Sequence, residues 1–527
     1  MSTFVPKSTP SARFARGLPL TEGENDSPPR EGESRRRRQG VALRKWLILT
    51  HRYAGIVLSL LFVMWFLSGI AMIYARGMPG LTADMSLERL TELNLGAVKL
   101  SPAEAVAKAE LGEAPARAMM LMIMHRPAYR FTVGGGSVSL FADTGELLPE
   151  IGKAEALKIA SSFMEMPESR MHYAGELDKP DQWTLQERRG LPMQKVIVDD
   201  DAHTELYISE ETGDVEVMTT RARRALAWFA AIPHWMYFTP LRVKGETWRQ
   251  VVLWTSGVGA ALALLGLVLG FTQFSTHYSG LMRWHYVTGA IFGTLTLTWV
   301  VSGWLSMEPF FWASGGRETG NRILQTLSGG PLDAASFPMI DAGSWYRALA
   351  ARSAKEIEFV RIQGEPFFIA RGVERDPVLI SANPFEIRRT PFSVESLMNR
   401  LRQASPNVAI LESQLLSDYD SYYRPNERGA PLPVLRVKFS DPDATWVYVD
   451  PRMGLAVRRF TRRQRLERWI YHGLHSLDFN FWYYNGAVWR TTMVVLNAGG
   501  ALLSTIGLVL AIKRVKRGTK RVLFGRK

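Results

Sequence analysis

Four strongly apolar stretches interrupt a chain of otherwise mixed character, and each is close to the about 20 residues that a membrane-spanning helix needs. We place these stretches at residues 46–75, 249–272, 285–307 and 491–513. From Val251 to Thr272, and again from Thr491 to Ile512, no charged residue occurs. Four such stretches with basic flanks favour transmembrane helices over buried core helices, although the mean hydropathy of the whole chain is only −0.06.

The net charge of +14 is concentrated beside the outer two stretches. Arg35–Arg38 precede the first, and Lys513, Arg514 and Lys516 follow the last. Positive charge of this kind marks the cytoplasmic side of a membrane, so both termini are predicted to be cytoplasmic, with no role in binding nucleic acid. Residues 1–45 are predicted to be a disordered basic tail, 273–284 a short cytoplasmic loop and 514–527 a second basic tail. Residues 76–248 and 308–490 then form two external domains.

The first and third stretches carry the same polar and aromatic residues at the same spacing. His51 and His285 are 234 positions apart, and four further pairs share that separation: Gly55 with Gly289, Trp65 with Trp299, Ser68 with Ser302, and Gly69 with Gly303. Shared hydrophobicity would match Leu and Val rather than His and Trp. The pattern therefore indicates a repeat.

The second and fourth stretches repeat with a separation of 241, which continues into the segments before them. The matched pairs are Tyr207 with Tyr448, Gly213 with Gly454, Trp228 with Trp469, His234 with His475, Trp248 with Trp489, and Gly266 with Gly507. The predicted fold is a four-helix transmembrane bundle made from a duplicated two-helix unit. An external domain is inserted between helices 1 and 2 and another between helices 3 and 4.

The external segments alternate helical and strand patterns. Ser101-Pro102 followed by Glu104 is typical of a helix start, and alternating residues around Gly134 and around Thr212-Gly213 predict hairpins. The simplest prediction for these domains is α+β, with a helix packed on a small antiparallel sheet.

The helix start at Ser101, the hairpin ends at Thr144-Gly145 and Thr212-Gly213, and the run Tyr448–Pro451 resemble the PepSY module. Together with the spans and the run Tyr471–His475, the chain resembles the PepSY-associated transmembrane family over roughly residues 40–515. That family includes iron-regulated proteins of the bacterial inner membrane and ferric-siderophore reductases that carry b-type haem. The resemblance implies PepSY-like external domains in the periplasm and a haem-dependent role in iron uptake.

Histidines are the candidate cofactor ligands. Haem iron takes two axial imidazoles, and a duplicated unit would supply one from each copy. His51 with His285 would hold one haem b on the cytoplasmic side, and His234 with His475 or His472 would hold a second on the external side. Gly55, Gly69, Gly289 and Gly303 would let a flat macrocycle approach the backbone.

Pairing of histidines within one copy is an alternative that the sequence leaves open. The four histidines could also be interfacial residues that bond lipid headgroups. Trp65 and Trp299 could line a haem, whereas Trp248 and Trp489 are better explained as interface anchors.

The chain has no cysteine, which excludes disulfides, iron–sulfur clusters and covalent c-type haem. It also lacks a G-x-G-x-x-G motif, so electrons would come from quinol in the membrane or from a separate reductase. The sequence thus predicts an electron-transferring oxidoreductase with a ferric siderophore as acceptor. The alternatives are a non-catalytic PepSY protein that binds a periplasmic partner, and a permease.

Overall fold

A computed structural model describes residues 31–273, 275, 277–309, 323, 325, 327–373, 376–425, 430–483 and 485–523. The chain divides into two units, 1–50 and 51–527. The described part of the first unit is the amino-terminal portion of one long helix.

The helices, in chain order, are α1 (Glu31–Ala75), α2 (Ala83–Arg89), α3 (Pro102–Lys108), α4 (Lys153–Met164), α5 (Arg221–Phe229), α6 (Ala231–Trp235), α7 (Thr239–Arg242), α8 (Gly245–Thr272), α9 (Gly280–Ser306), α10 (Ala342–Ala348), α11 (Val394–Ala404), α12 (Arg462–Glu467), α13 (Asn480–Tyr483) and α14 (Gly486–Leu523). One turn of π-helix, Arg468–Gly473, follows α12 directly.

The strands are β1 (Arg117–Ile123), β2 (Arg126–Val133), β3 (Gly136–Phe141), β4 (Met171–Leu177), β5 (Met193–Val198), β6 (Glu205–Ser209), β7 (Val215–Thr219), β8 (Glu356–Ile362), β9 (Glu365–Arg371), β10 (Val378–Ala382), β11 (Phe385–Ile387), β12 (Ile410–Leu416), β13 (Val434–Phe439), β14 (Trp446–Asp450) and β15 (Leu455–Phe460).

Four helices are long and apolar enough to cross a membrane, as predicted. The candidate spans are Val41–Ala75, Gly245–Thr272, Gly280–Ser306 and Gly486–Thr519. Each extends a few residues beyond the predicted apolar core, because a helix need not end where the hydrocarbon ends. The first helix begins at Glu31, inside the stretch predicted to be disordered. Arg, Gln and Glu are good helix formers, and after Pro29 no proline interrupts the run. Residues 1–30 lie outside the described part.

An apolar and aromatic core fills the middle of the bundle. Its buried members are Leu58, Phe62, Phe66, Leu262, Trp299, Val300, Met493 and Ala501. The Phe66 and Trp299 ring centres lie 5.8 Å apart. A Cβ added at Gly500 would come within 2.4 Å of the Phe66 ring, so this glycine lets a large aromatic side chain approach the α14 backbone.

The external part is α+β, as predicted, and contains three antiparallel sheets. The strand orders are β11-β10-β9-β8-β1-β2-β3, β4-β5-β6-β7 and β12-β13-β14-β15. Helix α4 packs on the β4–β7 sheet through Ala156, Ile159 and Phe163. Helix α11 packs on the β12–β15 sheet through Leu397 and Leu401.

The seven-stranded sheet combines both external segments, which the sequence had suggested to be separate domains. Strand β1 of the first segment pairs with β8 of the second, with Met120 opposite Ile357. Arg117 also donates to Glu358 across the junction, at 2.7 Å. The pairing buries what would otherwise be two open sheet edges, and open edges invite aggregation.

The structure confirms two local predictions of the sequence, a helix start and a hairpin. Ser101 and Glu104 form a reciprocal capping box at the start of α3. Gly134 and Gly135 form the two-residue turn between β2 and β3, both with positive φ, so GGGSV is a hairpin and not a phosphate loop.

Candidate functional site

His51 and His285 face each other across the bundle. His51 lies on α1 and His285 on α9. Their ring centres are 6.4 Å apart and the ring planes are inclined at 46°. The structure thus brings together two residues that the sequence had related only by a separation of 234 positions.

His234 and His475 form a second facing pair. His234 lies on the short helix α6, and His475 follows the π-helical turn Arg468–Gly473. Their ring centres are 6.1 Å apart with the planes at 64°. Within the part of the chain that the structure describes, no three His, Asp or Glu side chains come together as a metal site of protein ligands alone.

The two pairs lie at opposite ends of the bundle. His234 Nδ1 is 3.1 Å from the Oγ of Ser68, and Ser68 is 17 residues after His51 on the same helix. At a rise of 1.5 Å per residue, the two pairs are separated by about 25 Å along the helix axis. His475 stands in the same relation to Ser302, at 3.1 Å, 17 residues after His285 on α9.

Backbone carbonyls determine which nitrogen of the second pair carries the proton. The Nδ1 of His234 lies 3.3 Å from the Trp65 carbonyl oxygen, and the Nδ1 of His475 lies 3.2 Å from that of Trp299. A carbonyl oxygen can only accept, so each Nδ1 is the protonated, donating nitrogen. Each Nε2 then keeps its lone pair for a ligand.

Burial keeps the second pair neutral. It lowers the pKa of both His234 and His475 to about 4, and the neighbouring His475 adds to the effect on His234. A neutral imidazole is the form that binds a metal, so both rings are competent ligands at neutral pH.

The two histidines of the first pair differ in the hydrogen bonding of their Nδ1 atoms. His51 Nδ1 lies 3.3 Å from the carbonyl oxygen of Leu262 on α8, which assigns its proton in the same way. The Nδ1 of His285 is buried and has no hydrogen-bond partner among the described residues. A buried polar atom without a partner costs about 1–3 kcal/mol, which a water molecule or a bound group could relieve.

Gly69 and Gly303, which were predicted to admit a macrocycle, lie beside the second histidine pair. A Cβ at either would lie 3.6 Å from Cε1 of His234 or His475 respectively, and at Gly69 it would also come within 2.8 Å of the Asn497 Oδ1. They therefore border the imidazoles themselves. Gly55, by contrast, has nothing within 4 Å of an added Cβ, so the backbone there is open to a close neighbour.

Gly266, which the sequence marked only as a repeated position, lies against His51. A Cβ there would come within 2.9 Å of the Cε1 of His51. Its counterpart Gly507 is less constrained, with 3.6 Å to the Cε1 of His285. A signal was available in the sequence, because Gly266 and Gly507 recur at the separation of 241 that relates the second and fourth stretches.

Ser68 and Ser302 were recognised as repeated residues, but no function was assigned to them. Besides approaching the histidine nitrogens, their hydroxyls donate to the carbonyl oxygens of Trp65 and Trp299, at 3.1 and 2.9 Å. Each serine can therefore accept from a histidine while it donates to the same carbonyl that the histidine uses. The repeated Trp-x-x-Ser-Gly run is the sequence signal for this support.

Trp248 and Trp489 fix the segments that carry the second pair. Trp248 Nε1 donates to the carbonyl of Trp235, and Trp489 Nε1 donates to that of Ser476, both at 2.9 Å. Each acceptor is the residue directly after a paired histidine. The two tryptophans therefore position the histidine segments, in addition to any contact with lipid.

The ring that lies opposite His234 in the second pair is that of His475. His472 lies in the π-helical turn, where its ring is 5.1 Å from that of Tyr471 and nearly perpendicular to it. His277 is exposed and bonds only its local neighbour, with its Nδ1 3.2 Å from the Ser275 hydroxyl.

The chain matches no family model, and no curated protein matches it.

Proposed function

We propose that this protein is a membrane oxidoreductase that holds two b-type haems, one between His51 and His285 and one between His234 and His475. It passes electrons across the bacterial inner membrane to a periplasmic acceptor, for which a ferric siderophore is the candidate. When bound, each haem supplies a reversible one-electron change at iron.

The spacing of the histidine rings carries this proposal. A haem held by one imidazole on each face would need two histidine rings that face each other with room for one metal atom between them, with ring centres about 6 Å apart. The ring centres of the two pairs lie 6.4 and 6.1 Å apart, which fits such a group at both ends of the bundle. Histidines that merely bonded lipid headgroups would have no reason to face each other at that distance.

The remaining features describe what the protein contributes. Donation from Nδ1 of His234 and His475 to backbone carbonyls orients each ring and raises the basicity of its Nε2. The buried orphan Nδ1 of His285 and the open backbone at Gly55 suit a bound group at the other end. The apolar core around Phe62 and Phe66 lies between the two ends.

A duplicated two-helix unit explains why the histidines come in pairs, and corresponding contacts support the duplication. Arg224 donates to the carbonyls of Thr219 and His203, at 3.2 and 2.9 Å. Arg465, 241 positions later, donates to those of Phe460 and Ala444, at 3.0 and 2.9 Å. Both acceptors are also displaced by 241.

The orientation follows from the basic residues that flank the spans. With Arg44, Lys45 and Lys513 on the cytoplasmic side, the His51 pair lies near the cytoplasm and the His234 pair near the periplasm. The external sheets, proposed to be PepSY-like, are then periplasmic. The inner site would accept electrons from quinol, which releases two protons with its two electrons, or from a separate reductase, and each electron delivered outside would reduce one Fe(III) of the acceptor to Fe(II).

The deciding experiment is a spectrum of the full-length protein purified in mild detergent after expression with ample haem. We expect a Soret band, sharp α and β bands on reduction with dithionite, and about two haems per chain by the pyridine haemochrome assay. Protein that is folded and free of haem under these conditions would overturn the proposal and favour a non-catalytic binding protein.

A further inference from the structure

Three aromatic rings form a continuous chain from the second histidine pair to the protein surface. Tyr471 stacks on His475 with ring centres 5.1 Å apart and planes only 19° from parallel. On its other side Tyr471 meets His472 edge-on, also at 5.1 Å. His472 is exposed, so the chain runs from a proposed ligand to solvent.

The corresponding segment of the first half carries no aromatic rings at these two positions. The residues 241 positions before Tyr471 and His472 are Ala230 and Ala231, and both are fully buried. Ala231 begins α6, whereas Tyr471 and His472 lie in a turn of π-helix, which is often a functional feature. In the first half, two small buried side chains therefore occupy these positions beside the histidine. In the second half, the exposed ring of His472 occupies one of them.

A charged cluster lies beside His472, outside the candidate spans, the last of which begins at Gly486. Asp478 donates its backbone N–H to the His472 carbonyl, and its carboxylate pairs with Arg424 and Arg468. Asp478 and Arg468 are buried in the protein, whereas the His472 ring is exposed. Charged groups of this kind are costly in hydrocarbon, which favours an aqueous position for this segment.

We propose that Tyr471 and His472 form the exit for electrons, and that the acceptor, a soluble ferric chelate, docks over the exposed His472 ring. This inference rests on the proposed function and specifies where its outer site meets substrate. One electron passes from the reduced outer site to Fe(III) of the chelate, giving Fe(II). No bond is made or broken and no proton is transferred.

The first test uses His472→Ala, Tyr471→Leu and Tyr471→Phe in the full chain, with His172→Ala as the control. His172 is also an exposed external histidine, but it lies on the edge strand β4. Dithionite-reduced protein is mixed with ferric nitrilotriacetate, and reoxidation is followed at the Soret band. We expect His472→Ala and Tyr471→Leu to slow reoxidation about fivefold or more, with Tyr471→Phe and the control near the wild-type rate.

The haem spectrum and haem content of each variant show whether it is folded. His472→Ala removes only an exposed side chain, so we expect it to leave the fold intact. Wild-type reoxidation by His472→Ala with a normal spectrum would overturn the exit while leaving the proposed function intact. Absence of haem from the wild-type protein would instead defeat the proposed function itself.

A second test exploits the absence of cysteine from the chain. His472→Cys introduces a unique thiol, as does the control His172→Cys. A membrane-impermeant maleimide added outside spheroplasts should label both, and the label at position 472 alone should slow reoxidation. Failure of position 472 to label from outside, or reoxidation unaffected by the label, would contradict the proposed exit.

Discussion

The Nδ1 of His475 lies 3.2 Å from the carbonyl oxygen of Trp299, and the Nδ1 of His234 stands 3.3 Å from that of Trp65. In each case a backbone acceptor on a long apolar helix fixes the tautomer of a histidine carried by another segment. The contact leaves the lone pair of each Nε2 atom available. This relationship, more than the presence of the histidines, supports the proposal that the two rings hold a haem.

Removing one histidine of a pair should empty one site only. His51→Ala is expected to reduce the haem content from two to about one per chain, and His234→Ala should do the same for the other site. Since the pairs are about 25 Å apart, neither variant should disturb the other site. Haem content and low-temperature α-band spectra would measure this. Loss of both haems from either variant, with the protein still folded, would show that the sites are not independent.

The serine that supports His475 should affect how tightly that site holds its ligand. Ser302→Ala removes a hydroxyl 3.1 Å from the Nδ1 of His475 but leaves the Trp299 carbonyl in place. Changes to groups that orient metal-binding histidines typically cost 10–100-fold in metal affinity, and we expect about tenfold here. Transfer of haem to an excess of apomyoglobin would measure the loss.

Ser306→Ala is the matched control, because the Ser306 hydroxyl donates to the Gly303 carbonyl on the same helix. If both serine variants lost haem at the same rate, the hydroxyl of Ser302 would have no special role toward His475.

A methyl group at residue 266 should displace His51. A Cβ there would lie 2.9 Å from the His51 ring, whereas at Gly507 the same addition meets His285 at 3.6 Å, an ordinary contact. Gly266→Ala is therefore expected to lose or perturb the haem of the first pair, and Gly507→Ala should resemble the wild type. Equal spectra for the two variants would mean that α8 can move to accommodate the methyl group.

The stability of the first external segment should fall as the pH rises from about 4.5 to 7. Burial, with the nearby carboxylates of Asp214 and Glu187, raises the pKa of Glu216 to about 7. The folded protein therefore binds this proton more tightly than the unfolded chain does. The resulting stabilisation is fully present below the pKa of Glu216 in the unfolded chain, and it is lost as the pH rises through the pKa of Glu216 in the folded protein.

Glu216→Gln should remove that dependence and raise stability at pH 8 by roughly 2 kcal/mol, since the residue is only partly buried. Thermal unfolding of the full-length variant at pH 5 and pH 8 would measure it, with the exposed residue Glu92 changed to Gln as the control. An identical pH dependence in the Glu216→Gln protein would show that ionisation of Glu216 does not change the free energy of unfolding.

Much of the architecture could be predicted because it depends on local pattern. The four spans follow from uninterrupted apolar stretches, and the turn at Gly134-Gly135 and the capping box at Ser101 follow from residue types that few other conformations accommodate. The sequence also indicated which histidines correspond, because they recur at fixed separations.

Other features depend on contacts between distant parts of the chain. The pairing of β1 with β8 joins residues more than 200 positions apart, and no local pattern marks which edge strand meets which. The steric requirement at Gly266 and the Nδ1 acceptors depend on how deeply one helix sits against another. The π-helical turn that contains His472 could not be predicted either, because no residue pattern in this segment distinguishes a π-helix from an α-helix.

By itself, the sequence determined how many helices can enter a membrane and which histidines correspond, because hydrophobic burial and residue spacing act along the chain. Only the tertiary structure decided that the histidines face one another about 6 Å apart, with Nδ1 bound to a carbonyl at three of them and orphaned at His285. Ring orientation depends on which side chains and carbonyls the packed helices bring within hydrogen-bond distance. Those neighbours come from segments far apart in sequence.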